Sequence, residues 1–167
     1  THRYSSAASD VYKRQGSEYD IHMAYLTTCG VLEDETPYTN IVALNEKAAI
    51  LHYQNKRRQH QGGNRVLLID AGYRVRGYGS DITRTSVSKD IHPVFNALLA
   101  GMESIKDKLV ATVRPGLPYV DLHLTALEEI AELLTHLDIC QGTAFELLEQ
   151  EIVNRFMPHG VGPVSYT

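Results

Sequence analysis

Two aspartates stand either side of a short stretch, RVRG, that can turn a chain back on itself: Asp70 in RVLLIDAGY and Asp81 in YGSDITRTSV. Both flanking segments are apolar or rich in β-branched residues, so the pattern predicts a β-hairpin over 65–87. A turn symmetric about the Val75–Arg76 bond sets Tyr73 opposite Tyr78, Gly72 opposite Gly79 and Asp70 opposite Asp81. Directly opposed side chains hold their Cβ atoms roughly 4.5–5.5 Å apart. Two carboxylates at that separation repel unless a proton or a cation lies between them. Oxygen ligands so arranged suit one hard divalent cation, or two that share bridging carboxylates. Gly72 and Gly79 leave the backbone open to close approach. On pattern alone a plainer reading competes, in which one aspartate starts a turn and the other is solvated.

Histidines are the next residues able to do chemistry. His52 sits in AILHY, an apolar stretch read as a strand, where a lone histidine is more often packed in a core than a ligand. His159 lies in PHGVG, a glycine-rich turn after a helix, whose plainer reading is a simple loop. His22, His92, His123 and His136 fall in polar or helical settings and receive no role.

The elements that must position these residues follow from periodicity. Residues 40–45 and 49–53 are short and apolar and read as strands, with NEKAA between them as a turn or one helical turn. From Pro93 to about Val113 the apolar residues Phe95, Leu98, Met102, Ile105 and Leu109 recur at helical spacing. RPGLP at 114–118 breaks that helix. A second helix follows, striped by Val120, Leu124, Leu127, Ala131 and Leu134. Thr143 and Glu146 form a capping box for a third, striped by Phe145, Leu148, Ile152 and Phe156 and ended by Pro158. Strands followed by helices point to an α+β fold. Residues 1–15 show neither period; they and the closing PVSYT at 163–167 are expected to lie outside the natural protein, leaving 16–162 as its interior.

Composition narrows the function classes. The chain has 167 residues, long enough for one domain with a real core. Its 16 Lys and Arg against 20 Asp and Glu give a formal net charge of -4, which argues against a nucleic-acid binder. No apolar run approaches the roughly 18 residues a membrane span needs. Cys29 and Cys140 are too few for a disulfide framework and form no CxxC pair, so a reducing, cytoplasmic setting is the default.

The segments GSEYDIH, PYTNIVALNEKAAILHY, LLIDAG, GYGSDITRT and FMPHGVG, in this order, resemble the bacterial Xaa-Pro dipeptidases (prolidases) of the pita-bread metallopeptidase family. The resemblance spans nearly all of residues 16–162. It implies a catalytic domain built as a curved antiparallel sheet flanked by helices. It also implies two divalent metals, usually manganese, held by two aspartates, one histidine and two glutamates, with Asp70 and Asp81 matching the aspartates. The substrate implied is a dipeptide with C-terminal proline, attacked by water activated between the metals. His52 matches a histidine near the substrate, and Tyr38, in PYTN, a residue lining the substrate pocket. Hydrolysis of organophosphorus esters is implied as a side activity, and a homodimer is common in the family.

The departures are specific. The family's HGxGH pattern ligates metal through its second histidine, which falls on Pro163 here; the first matches His159, in an outer, supporting role. The two glutamates fall past Thr167, so this chain supplies two of five ligands, and it lacks the N-terminal domain before Gly16. It reads as a truncated fragment, inactive alone, of an Xaa-Pro dipeptidase. Two alternatives stay open: a metal-free peptide- or partner-binding module of the same fold, and an Xaa-Pro aminopeptidase.

Overall fold

The computed structural model describes residues 16–60, 62–63 and 65–161. The lead at 1–15, the tail at 163–167 and Pro163 lie outside the described residues. The chain divides into two units, residues 1–91 and 92–167.

The described part of the first unit opens with a capping box. The Asp20 amide donates to the Ser17 hydroxyl at 3.2 Å, and the Asp20 carboxylate accepts from the Ser17 amide at 2.9 Å. This starts helix α1 (Glu18–Cys29), which stops at Gly30 in the left-handed region (φ 66°). Its Ile21 packs on Val42 and Leu44 of strand β1 (Ile41–Leu44) and on Leu67 of strand β2 (Val66–Ala71). On the other side Ile41 and Ala43 meet Tyr53, Ala48 and Leu68. Strand β1 is therefore buried on both faces, and the continuous apolar run IVAL follows from that. Strand β5 (Ile82–Val87) completes an antiparallel sheet of order β1-β2-β5, as the α+β reading requires.

Two expectations fail in this unit. Residues 49–53 are not a strand. Asn45 takes φ 54° and its side-chain oxygen accepts from the amides of Arg65 (2.8 Å) and Val66 (3.2 Å), so the chain turns into a 3-10 helix, Asn45–Ala49. His52 then sits exposed in a turn with φ 53°. Local side-chain-to-backbone bonding overrides the apolar run here. The hairpin also turns one residue later than a Val75–Arg76 centre predicts, which shifts every cross-strand partner by two. Its tip strands β3 (Arg74–Val75) and β4 (Tyr78–Gly79) pair Val75 with Tyr78, leaving Arg76 (φ 51°) and Gly77 (φ 88°) as the loop. Positive φ at both loop positions is the type I′ geometry that matches strand twist, and Gly77 suits its second position.

A buried carboxylate ties the unit together. Glu18, 2% exposed, accepts from the Leu44 amide (3.1 Å), the Tyr53 hydroxyl (2.8 Å) and the Arg57 amide (3.0 Å). A second long-range anchor is the Tyr25 hydroxyl, which donates to the Gly72 carbonyl. Burial pushes both tyrosines up to about 12, so each stays a donor at neutral pH.

In the second unit, Pro93 opens helix α2 (Pro93–Thr112) at its first position. Helix α3 (Tyr119–His136) and the short α4 (Ala144–Glu149) follow. A side chain at Gly101 would strike Leu133, so α2 and α3 meet closely there. Ile105, Ile130, Ala131, Leu134, Leu147 and Val153 form the core. The Thr143–Glu146 capping box forms as expected. The helix it starts ends at Glu149 rather than Pro158. The Glu151 and Ile152 amides bond back to the Leu148 and Leu147 carbonyls, with Glu151 left-handed (φ 53°). Phe145 is accordingly 70% exposed rather than on a buried stripe.

Glu18→Ala strips three donors, two of them buried, of their acceptor. It should destabilise the chain by about 3 kcal/mol. Urea unfolding followed by circular dichroism measures it; a loss within error of zero would remove Glu18 from this role.

Candidate metal centre

The site is built by one hairpin and one loop of the first unit. Strand β2 delivers Asp70 opposite Thr83, and the same register carried on sets Asp81 opposite Gly72. The expected direct opposition of Asp70 and Asp81 is thus corrected to a diagonal pairing. The two-residue shift keeps both side chains on the same face, because side chains alternate with period two. Diagonal neighbours are farther apart than opposed ones, roughly 7–8 Å between backbones, and need something between them to interact.

Tyr38 fills that position. Its hydroxyl oxygen lies 2.7 Å from Asp70 Oδ1 and 2.9 Å from Asp81 Oδ1. The loop carrying it is fixed by Thr36, whose hydroxyl bonds the Glu33 carbonyl (2.6 Å) or the Tyr38 carbonyl (2.9 Å). Pro37 then lies against the hairpin where it has no side chains. A Cβ on Gly72 would come within 2.8 Å of Pro37 Cγ and would also strike the Ser80 carbonyl oxygen, and one on Gly79 would come within 2.8 Å of Pro37 Cβ. The close approach foreseen at the two glycines is made by Pro37, which delivers Tyr38 to the aspartates.

The electrostatics follow from the geometry. A phenol has one proton, so it serves one carboxylate at a time. Burial raises the Asp70 carboxyl above its ordinary range, and the neighbouring Asp81 charge raises it further, against the hydrogen bonds from Tyr38 and Thr83. Burial and the two carboxylates push the Tyr38 phenol far up, so it keeps its proton. The pair is short of positive charge, and its oxygens are hard donors of the type that hold divalent cations. The two aspartates fit such a cation in kind. They do not complete its shell, for among the described residues no group of three or more His, Cys, Asp and Glu side chains gathers.

The remaining candidates lie elsewhere. His52 is exposed in its turn, and neither aspartate is its hydrogen-bond partner. His159 belongs to the second unit, exposed, with Nδ1 3.0 Å from the Gly160 carbonyl oxygen. Sequence reasoning placed Tyr38 in a pocket wall and missed its bond to the aspartates. It also passed over Tyr25, whose long-range partner left no local signal. Pro37 beside Tyr38, with two glycines facing them, was the available clue to the first.

Comparison with known proteins places the chain in a family. The sequence pattern of metallopeptidase family M24 matches residues 3–166. The chain is 42% identical over 157 residues to an Xaa-Pro dipeptidase of Shewanella woodyi, covering 93% of this chain and 35% of that protein. It is 44% identical over 157 residues to an Xaa-Pro dipeptidase of Marinobacter nauticus, covering 93% and 36%. The chain thus spans about a third of these relatives. Among solved structures, the Pseudomonas aeruginosa aminopeptidase PepP superposes with a TM-score of 0.73 at 25% identity, covering 91% of this chain and 36% of that one. Zinc-substituted Escherichia coli aminopeptidase P, in complex with product, gives 0.74 at 23% identity over 88% and 34%, a likeness of fold alone. The expected pita-bread architecture is that of these neighbours, although the described sheet does not close into a barrel. Because the family pattern matches residues 3–166 of its 167, the chain belongs to metallopeptidase family M24.

Proposed function

We propose that this chain is part of the metal domain of an Xaa-Pro dipeptidase, which hydrolyses dipeptides ending in proline. The observation that carries the proposal is the convergence of Asp70 and Asp81 on the Tyr38 hydroxyl. Identity near 40% to proteins named Xaa-Pro dipeptidase supports the substrate class. Asp70 and Asp81 hold divalent metal, and we favour manganese as a hard cation for carboxylate oxygens. Such metals, when bound, lower the pKa of water and polarise the scissile carbonyl. Tyr38 holds the two carboxylates at fixed separation through their Oδ1 atoms. His52 is assigned to substrate contact and His159 to an outer, proton-handling role. Two free cysteines, Cys29 and Cys140, suit a cytoplasmic setting.

An Xaa-Pro aminopeptidase is the second reading, favoured by the fold likeness to the Pseudomonas aeruginosa enzyme. Substrate length separates the two: cleavage of Xaa-Pro dipeptides supports the first, and release of the first residue from longer Xaa-Pro peptides only supports the second. Because the described residues offer two carboxylates and no third ligand, the 167-residue chain alone should bind Mn2+ but not turn over. Purified chain that cleaved Xaa-Pro dipeptides on addition of manganese would overturn that expectation.

Asp70→Asn should abolish Mn2+ binding and stabilise the metal-free chain at neutral pH. The sign follows from the raised carboxyl. A group that binds its proton more tightly in the folded state contributes stability below the ordinary carboxylate range, and loses it as pH rises through the folded value. The asparagine variant lacks that loss, so its thermal midpoint should exceed wild type at neutral pH by more than it does below about pH 4. Calorimetry with and without Mn2+ reads both effects; a variant that bound Mn2+ like wild type would sink the assignment.

A further inference from the structure

We infer that Tyr25 is a positioning residue for the Asp70–Asp81 pair, acting through the Gly72 carbonyl at the point where the chain leaves β2. The inference rests on the metal-site reading above. Gly72 lies two residues beyond Asp70, and in the continuous register it faces Asp81. It thus lies on the strand segment that links the two carboxylates through the hairpin. The ladder is interrupted there, since the last pair of β2 with β5 is Ala71–Ile82 and pairing resumes at Arg74–Gly79. A buried carbonyl outside a ladder needs another donor, and the Tyr25 hydroxyl, 47 positions earlier on α1, supplies it.

Three contacts then meet at one residue. The Ser80 carbonyl and Pro37 both crowd the side of the Gly72 Cα where a Cβ would stand, and Tyr25 holds the carbonyl. Pro37 carries Tyr38, which reaches both aspartates. The Ser80 amide bonds the Tyr73 carbonyl at 2.9 Å and the Tyr73 amide bonds the Ser80 hydroxyl at 2.9 Å, so the return strand follows wherever residues 72 and 73 are set. Rotation of the Gly72 peptide would therefore move Asp81 relative to Asp70. Tyr25, 5% exposed and anchored by its ring within the unit, opposes that rotation.

The same unit contains a control. Tyr53 is 7% exposed, and its hydroxyl also makes one long-range bond, to Glu18 rather than to the hairpin. Tyr25→Phe and Tyr53→Phe each delete one buried hydroxyl and keep the ring. Tyr53→Phe should cost at least as much stability, since its hydroxyl serves a carboxylate, while only Tyr25→Phe should disturb the aspartate pair.

The experiment is a Mn2+ titration of the full chain, wild type and both variants, followed by electron paramagnetic resonance of free Mn2+ under conditions where circular dichroism shows each protein folded. Tyr25→Phe should weaken Mn2+ binding about tenfold, the order seen when a group supporting a metal ligand is removed. Tyr53→Phe should bind within about twofold of wild type, well below that range. Equal affinity in Tyr25→Phe and wild type, or equal weakening in both variants, overturns the inference and leaves the metal site standing. Absence of saturable Mn2+ binding in the wild-type chain, or unchanged binding in Asp70→Asn, overturns the metal-site reading and this inference with it.

Discussion

Holding two carboxylates against one phenol oxygen is electrostatically unfavourable without a cation, and the first unit is organised around resisting their separation. Neither aspartate can move off without a change in the hairpin, because Asp70 is locked in the β2–β5 ladder and Asp81 follows a continuous register. Nor can Tyr38 withdraw without Pro37 lifting from Gly72 and Gly79. Burial first, and then the Asp81 charge, raises the Asp70 carboxyl, against the hydrogen bonds that Tyr38 and Thr83 provide. A site strained in this manner, stable only because its surroundings over-determine it, is what a cation-binding centre requires before its cation arrives.

Much of this was legible from residue types. The apolar alternation around LLIDAG and DITRT predicted the two long strands, and the Thr143–Glu146 spacing predicted a capped helix. The pairing of Asp70 with Asp81 was legible as a shared face. Its diagonal offset was not, because the centre of a hairpin is decided by which two residues accept positive φ, and Arg76 gives no hint that it will. What stayed hidden shares a physical character. Tyr25 to Gly72, Glu18 to Tyr53 and Asn45 to Arg65 are side-chain bonds spanning 47, 35 and 20 residues, and no local pattern encodes them. The same blindness misread residues 49–53, where apolar content suggested a strand and the Asn45 turn prevented one.

The helical unit illustrates the opposite failure. Regular spacing of Phe145, Leu148, Ile152 and Phe156 described a longer amphipathic helix than forms. The left-handed Glu151 ends that helix by satisfying its last carbonyls. Periodicity found the segment but not its end, since an end is set by backbone bonds at single residues.

The span of Glu18's partners has a consequence for synthesis. Helix α1 leaves the ribosome before anything it binds: Leu44 follows Glu18 by 26 residues, Tyr53 by 35 and Arg57 by 39. At about 5–20 residues per second, that carboxylate waits several seconds in water before its burial is compensated. The hairpin then closes with β5 at Val87, ahead of any residue of the second unit. The contacts described above that hold the aspartate pair, from Tyr25 to Thr83, are therefore available to fold on the emerging chain while the helical unit is still being made.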